Sequence, residues 1–346
     1  MARRREEEPR LASSPGPASP GTTCLGASDL PDLSVVYVAF RNLAEITGSI
    51  ASVRCAARAA SPEISVEVLV IDNESPGGTA ALAGADDVRV IPSPGNPGFA
   101  AACNLGLDAA RGTWVLLLNP DTRVPEQSLE VLLAEAARLL PSGAALFGCR
   151  QLGPDGETAE TAYPAEVWPG PEGLLAAVPG LRLLMPARWQ RAKDPRTRRA
   201  AQHRTHATAA VQGSFLLAPR LLLTRLGRLD PDFFLYFEEL DGCARIGARG
   251  FSVVHLAEAA IEHTGAAGPR DPTRQRQFYV SEQLFVRKQR GCLAALAVLA
   301  LRQTAHVLRR EPALGRAALV GTFAARVQAA LSPTRRPGSR PSPLRV

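Results

Sequence analysis

The chain has 346 residues, 46% hydrophobic and 21% charged with a net charge of +7, the profile of a soluble globular protein able to bury one large core. Cys24, Cys55, Cys103, Cys149, Cys243 and Cys292 lie far apart with no CxxC pair, which argues against a zinc site or a disulfide scaffold and favours a reducing cytosol. The basic opening "MARRR" meets "EEEPR" rather than an apolar core, so no signal peptide is expected, and the longest apolar run, Cys292 to Leu301, is half a membrane span.

Residues 1–31, rich in Ser, Pro, Gly and charge, read as a disordered tail, and so do 332–346. "LSVVYVAF" reads as a first strand. "NLAEITGSIASVRCAARAA" follows as a helix, with Asn42 as N-cap and Glu45 three residues on, close to a capping box. "VEVLVIDN" is a second, buried strand and "VRVI" a short third. "GFAAACNLGLDAARG" is a helix closed by Gly112, "TWVLLLN" a fourth strand, "EQSLEVLLAEAARLL" a helix and "AALFGC" another strand. Residues 153–207 are irregular, Pro-rich and basic, and read as an insertion covering the site. "VQGSFLLAP" then predicts a strand, "RLLLTRLG" a short helix, and "FFLYFEELDGCARIGARGF" an aromatic lead into a helix. "SVVHL" is a strand, "DPTRQRQFYVSEQLFVRKQRG" a long helix, and 292–331 two more helices with arginine-bearing faces.

Strand and helix taking turns over this length imply an α/β fold, its mostly parallel sheet covered on both faces. In such sheets ligands bind outside the carboxyl ends of the strands. Asp72, ending strand two, and Asp121, just past strand four, are both expected at that edge. The arginine excess suits an anionic partner, whether nucleic acid, acidic lipid or a phosphorylated small molecule.

Four segments in order resemble the family 2 glycosyltransferases, particularly their rhamnosyltransferase-like branch. They are "VLVIDNESPGGT", "NPGFAAACNLGLDAARGTWVLLLNPDT", "QGSFLLAPRLLLTRLGRLDPDFFLYFEELDGCARIGARGF" and "IEHTGAAG". The resemblance implies a GT-A type fold, Rossmann-like, over residues 32–291, with C-terminal helices behind it. It also implies an inverting, metal-dependent transfer of a sugar from a nucleotide-sugar donor, dTDP- or UDP-linked, with rhamnose one candidate. The acceptor would be the hydroxyl of a cell-envelope glycan or glycolipid.

Residue by residue, Asp121 stands where the family keeps the last aspartate of its metal motif, and would hold Mg²⁺ or Mn²⁺. The first position of that motif is Asn119, which removes one anionic ligand. His263 matches the distal histidine, a further ligand to metal or diphosphate. Asp72 resembles the residue that recognises base or ribose, with Asn73 beside it. Asn96, Gly98, Phe99 and Asn104 belong to the donor segment; Gly98 suits close backbone approach at a helix start whose free N–H groups favour phosphate. Gly213, with Ser214, lies on the strand expected to face donor sugar and acceptor. In "YFEELD" Glu239 occupies the place of the usual aspartate base, with Glu238 and Asp241 as alternatives. Two adjacent carboxylates beside aromatics raise one pKa toward neutrality, as a general base requires.

The C-terminal aromatic and basic helices fit either contact with a membrane-surface acceptor or a packed helix pair, so peripheral attachment at the cytoplasmic face accompanies a cytoplasmic assignment. A catalytically degenerate nucleotide-sugar or glycan-binding protein is the alternative, because Asn119 and Glu239 depart from the acidic pattern. A nicotinamide enzyme is disfavoured, since no GxGxxG follows the first strand. Nucleic-acid binding rests only on basic tails and is not expected.

Overall fold

A chain that alternates buried strands with amphipathic helices has to sandwich its sheet, and this computed structural model does so. It describes residues 30–74, 79–82, 87–165, 168–170, 186–192, 194–226, 228–265 and 272–308. Both expected tails lie outside these residues except for Leu30 and Pro31, as does the expected helical stretch beyond Leu308. The first half runs β1 (Leu33–Ala39), α1 (Leu43–Ala59), β2 (Val66–Asp72), β3 (Val88–Pro92), α2 (Phe99–Ala109), β4 (Trp114–Leu118), β5 (Thr122–Arg123), α3 (Ser128–Leu139) and β6 (Ala144–Leu152). The second runs β7 (Ala162–Tyr163), α4 (Ala187–Ala192), α5 (Pro195–Ala201), β8 (His206–Thr208), β9 (Ala210–Val211), β10 (Phe215–Pro219), α6 (Arg220–Leu226), α7 (Glu238–Gly247), β11 (Ser252–His263) and α8 (Pro272–Leu308).

The main sheet has the order β3-β2-β1-β4-β10-β6-β11-β5, with β8 also paired to β11. β3, β2, β1 and β4 run parallel, β10 is antiparallel to both β4 and β6, and β11 runs parallel to β6. Every residue of β1 is buried, because its two faces meet different helices. Leu33, Val35 and Tyr37 pack with residues of α1 and α3, while Val36 and Val38 pack with α2. Each fully buried aliphatic side chain contributes about 1.5–3 kcal/mol, so both layers are anchored by this one strand. A third cluster joins Phe233 and Phe237 to Leu284, Phe285, Val286, Ala295 and Val298 of α8. The expected architecture, a mostly parallel sheet flanked by helices with helices at its C-terminal side, is present.

Several boundaries differ from the sequence reading, each for a local reason. Asn42 precedes α1 but makes no side-chain cap; its Oδ1 instead accepts the Phe40 N–H at 3.0 Å, turning the chain at the end of β1. Helix α2 ends at Ala109, and Gly112 serves the strand rather than the helix. A Cβ there would fall 2.5 Å from the Ser34 nitrogen. The single strand expected over 211–219 is two strands, β9 and β10, broken at Gly213–Ser214. β11 extends to His263, with a register shift between Leu256 and Ala260. The 153–207 stretch is more ordered than expected: β7 pairs with β9, β8 pairs with β11, and Asp194 caps α5 through the Arg196 N–H at 3.2 Å. Helix α8 breaks at Gly291 (φ 85°, ψ 175°), backbone that only glycine adopts readily, where one helix was expected to end and another to begin.

Candidate active site

The carboxyl ends of β1, β2 and β4 fall on one edge. Ala39 pairs with Asp72, and Val36 with Leu117, which brings Asp72 and the 119–121 turn to the same side of the sheet. Register then adds a partner from the far end of the chain. β5 pairs antiparallel with β11, setting Thr122 opposite His263. As a result His263 Nε2 lies 3.3 Å from Asp121 Oδ1. The Thr264 N–H and hydroxyl both reach the Asp121 carbonyl at 3.0 Å, fixing the turn. Burial opposes ionisation of Asp121, while a proton on the facing His263 nitrogen outweighs this and holds its pKa below the ordinary carboxylate value.

His263 is buried, and its other nitrogen, Nδ1, lies 3.0 Å from Gln151 Oε1. The Ser214 hydroxyl donates to the same oxygen at 2.8 Å. Asn119 is held by its backbone: its N–H donates to Ser214 O at 2.9 Å and its carbonyl accepts the Thr122 hydroxyl at 2.6 Å. Across that turn stands the acidic pair. A Cβ on Gly213 would touch Cβ, Cγ and Cδ of Glu239 at 3.5–3.6 Å, so the Gly213–Ser214 turn links the Asp121–His263 pair to Glu239.

Glu238 and Glu239 open α7 behind two consecutive non-glycine residues in left-handed backbone, Tyr236 (φ 70°) and Phe237 (φ 69°). Such residues cost about 1–3 kcal/mol each and persist where packing over-determines them. Here Phe237 packs 5.0 Å from Phe278 and 5.6 Å from Phe285, and the Ser281 hydroxyl donates to Leu235 O at 2.7 Å. Burial pushes the Glu239 carboxyl up to about 7 against opposing backbone hydrogen bonds. Glu238 is raised further by burial and by the adjacent Glu239 charge. One oxygen of each, Oε2, is buried without a hydrogen-bond partner. Asp241 differs: its fully buried carboxylate pairs with Arg245 at 2.7 Å and Lys288 at 3.0 Å, which makes it a tie between α7 and α8 rather than an available base.

The donor segment is bound together at the other end of this edge. Asn73 Nδ2 donates to Asn96 Oδ1 at 2.8 Å, and the same oxygen accepts the Gly98 N–H at 3.2 Å. Asp72 accepts a hydrogen bond from the Thr79 hydroxyl. Gly98 (φ 91°) does permit a close approach, but of protein backbone: a Cβ there would fall 2.5 Å from Phe234 O. Of the N–H groups at this helix start, expected to favour phosphate, that of Phe99 donates to the Phe234 carbonyl at 2.7 Å. Asn104 gives its Nδ2 to Leu229 O at 2.7 Å, tying α2 to the segment ahead of Phe233 instead of extending toward a ligand.

The sequence reading missed Gln151 and Gly265. Gln151 is the last residue but one of β6, which was read as stopping at Cys149; a glutamine past a buried strand on the ligand edge was its only signal. A Cβ on Gly265 would land inside the Asp121 carboxylate, so this position admits no side chain. The motif "EHTG" carried that information, unread.

The donor set suits a divalent cation. Gln151 Oε1 is an acceptor, so a ring proton on Nδ1 would leave the Nε2 of a neutral imidazole bare toward the Asp121 carboxylate. Two lone pairs at this separation repel unless a cation lies between them. Among the described residues no group of three or more His, Cys, Asp or Glu could enclose a metal. A shell of one carboxylate and one imidazole leaves positions for phosphate oxygens and water, as hard cations at phosphate sites require, and the imidazole favours Mn²⁺ over Mg²⁺.

Residues 34–164 match the family model described as Glycosyl transferase family 2. That stretch of the chain is a family 2 glycosyltransferase domain. The chain is 29% identical over 226 residues, 60% of this chain and 69% of the relative, to N-acetylglucosaminyl-diphospho-decaprenol L-rhamnosyltransferase of Mycobacterium tuberculosis. It is 23% identical to the low-salt glycan biosynthesis hexosyltransferase Agl10 of Haloferax volcanii, covering 78% of this chain and 77% of that one. The crystal structure of GalNAc-T7 with UDP, GalNAc and Mn²⁺ superposes with a TM-score of 0.48 at 14% identity; the match covers 80% of this glycosyltransferase and spans about half, 55%, of that chain.

Proposed function

We propose that this glycosyltransferase transfers a sugar with inversion, from a nucleotide-sugar donor to a hydroxyl of a lipid-linked envelope glycan, with help from a divalent cation. The observation that carries it is that Gly213 lies against Glu239 while Ser214 beside it is joined, through Gln151 Oε1, to the His263–Asp121 pair. Asp121 and His263 would hold the cation, which when bound neutralises charge on the departing diphosphate. Asp72, Asn73 and Asn96 form the nucleotide end. Glu239 takes the proton from the acceptor hydroxyl as that oxygen attacks the anomeric carbon and the diphosphate leaves from the opposite face. A pKa raised by burial to about 7 lets the carboxylate accept a proton at neutral pH. Single displacement of this kind inverts the anomeric centre.

Rhamnose as the donor sugar and a polyprenyl-diphosphate-linked acceptor follow the Mycobacterium tuberculosis relative's name. No helix among the described residues is long and apolar enough to cross a membrane. Leu293 and Leu296 are exposed on α8, close in sequence to Arg287 and Arg290, which supports peripheral contact with a cytoplasmic membrane face. Incubation of purified protein with dTDP- and UDP-sugars, Mn²⁺ and a polyprenyl-linked acceptor tests this reading. Release of nucleoside diphosphate with an inverted product is expected. Absence of release from every donor, with Asp121→Asn binding nucleotide as wild type does, refutes it.

A further inference from the structure

Gln151 takes no part in the chemistry above, yet two buried polar groups, the Ser214 hydroxyl and the His263 ring, converge on its side chain. Gln151, Ser214 and His263 are 1%, 2% and 4% exposed. Its strand explains how: Gln151 pairs with Ile261 in the β6–β11 register, two residues before His263. Oε1 meets the Ser214 hydroxyl at 2.8 Å and His263 Nδ1 at 3.0 Å. The opposite ring nitrogen is the one that faces Asp121.

We propose that Gln151 is a positioning residue that fixes the tautomer of His263, keeping the proton on Nδ1 and the Nε2 lone pair aimed at Asp121. An imidazole has two tautomers, and the acceptor opposite one nitrogen decides between them. Without Gln151 the preferred partner is Asp121 itself: the proton moves to Nε2, donates to Oδ1, and closes the space between the two ligands. The Ser214 hydroxyl donates to the same amide oxygen that meets the ring. The consequence for cation affinity rests on the function proposed above; the tautomer does not.

The test is nitrogen-15 NMR of the His263 ring in metal-free protein at mildly alkaline pH, with His263→Asn for assignment. Mn²⁺ titration with a nucleoside diphosphate, followed by electron paramagnetic resonance, accompanies it. Wild type is expected to show Nδ1 protonated and Nε2 bare. Gln151→Met, similar in length but unable to accept strongly, is expected to move the proton to Nε2 and weaken Mn²⁺ binding by about 10–100-fold. Gln151→Glu retains an acceptor, so it should keep the wild-type tautomer. An unchanged ring in Gln151→Met overturns the inference, whereas a tautomer shift with unaltered Mn²⁺ affinity upholds the Gln151 role and refutes its consequence for the cation. If Gln151→Met does not fold, an Nε2-protonated ring in either wild type or Gln151→Glu overturns it equally. Wild type that shows the Nδ1 tautomer but binds no Mn²⁺ supports the Gln151 role and refutes the cation reading of the site.

Discussion

Glu239 and Glu238 are adjacent carboxyls in one helical turn, and burial rather than the helix dipole governs them, since both are raised instead of lowered. A base must be ionised to act, so a carboxyl raised to about 7 is inactive at acid pH and gains activity through neutrality. The kcat/KM profile is therefore expected to rise with an inflection near pH 7. Glu239→Gln should lower the rate by about 10²–10⁴-fold and remove that inflection, with donor affinity retained. An inflection at the ordinary carboxylate value, or none in wild type, would exclude Glu239 as the base. Gly265 gives a second expectation: Gly265→Ala has to displace the Asp121 carboxylate, so Mn²⁺-dependent nucleotide binding should weaken by about tenfold or more, measurable by calorimetry. Binding equal to wild type would show that Asp121 tolerates displacement. The residue types at Asp121, His263 and Glu239 were legible in the sequence because strand ends and motif order are local. Gln151 was not, because its meaning depends on a histidine over a hundred positions away.

At the level of elements, α7 carries the acidic pair and α8 holds α7 in place. Lys288 on α8 meets Asp241 on α7 and Asp230 ahead of it, and its ammonium lies 5.0 Å from the Phe233 ring centre. Lys288→Met leaves the buried Asp241 with Arg245 as its remaining named partner. A loss of about 1–3 kcal/mol in urea unfolding is expected, with a fall in kcat from disturbance of the Tyr236–Phe237 backbone. A change under about 0.5 kcal/mol would mean that α8 packs through its apolar face alone. Strand identity was readable from the buried runs in β1, β2 and β4. The break between β9 and β10 was not, although "QGS" interrupts the apolar run of "VQGSFLLAP"; the antiparallel insertion of β10 between β4 and β6 is what sets a turn at Gly213.

For the whole molecule, one sheet edge gathers residues from β2, the β4–β5 turn, β6, the β9–β10 turn, α7 and β11. Ligand that bridges these parts stabilises the folded chain by mass action. At a hundred times its Kd, a nucleoside diphosphate with Mn²⁺ should add about 2.7 kcal/mol, raising Tm by about 5 °C. Asp121→Asn should abolish the metal-dependent part of that shift. A Tm insensitive to Mn²⁺ in the presence of nucleotide would leave Asp121 without its proposed role.

The sequence by itself determined the layered α/β architecture and which residues carry ionisable or ligating groups at strand ends, because periodicity and turn chemistry act over a few positions. Tertiary structure decided which of them meet. Antiparallel pairing of β5 with β11 brings His263 to Asp121, insertion of β10 sets Gly213 against Glu239, and folding of α8 onto α7 engages Asp241. These are consequences of strand register and helix docking, which are set by the burial of whole faces rather than by any local run of residues.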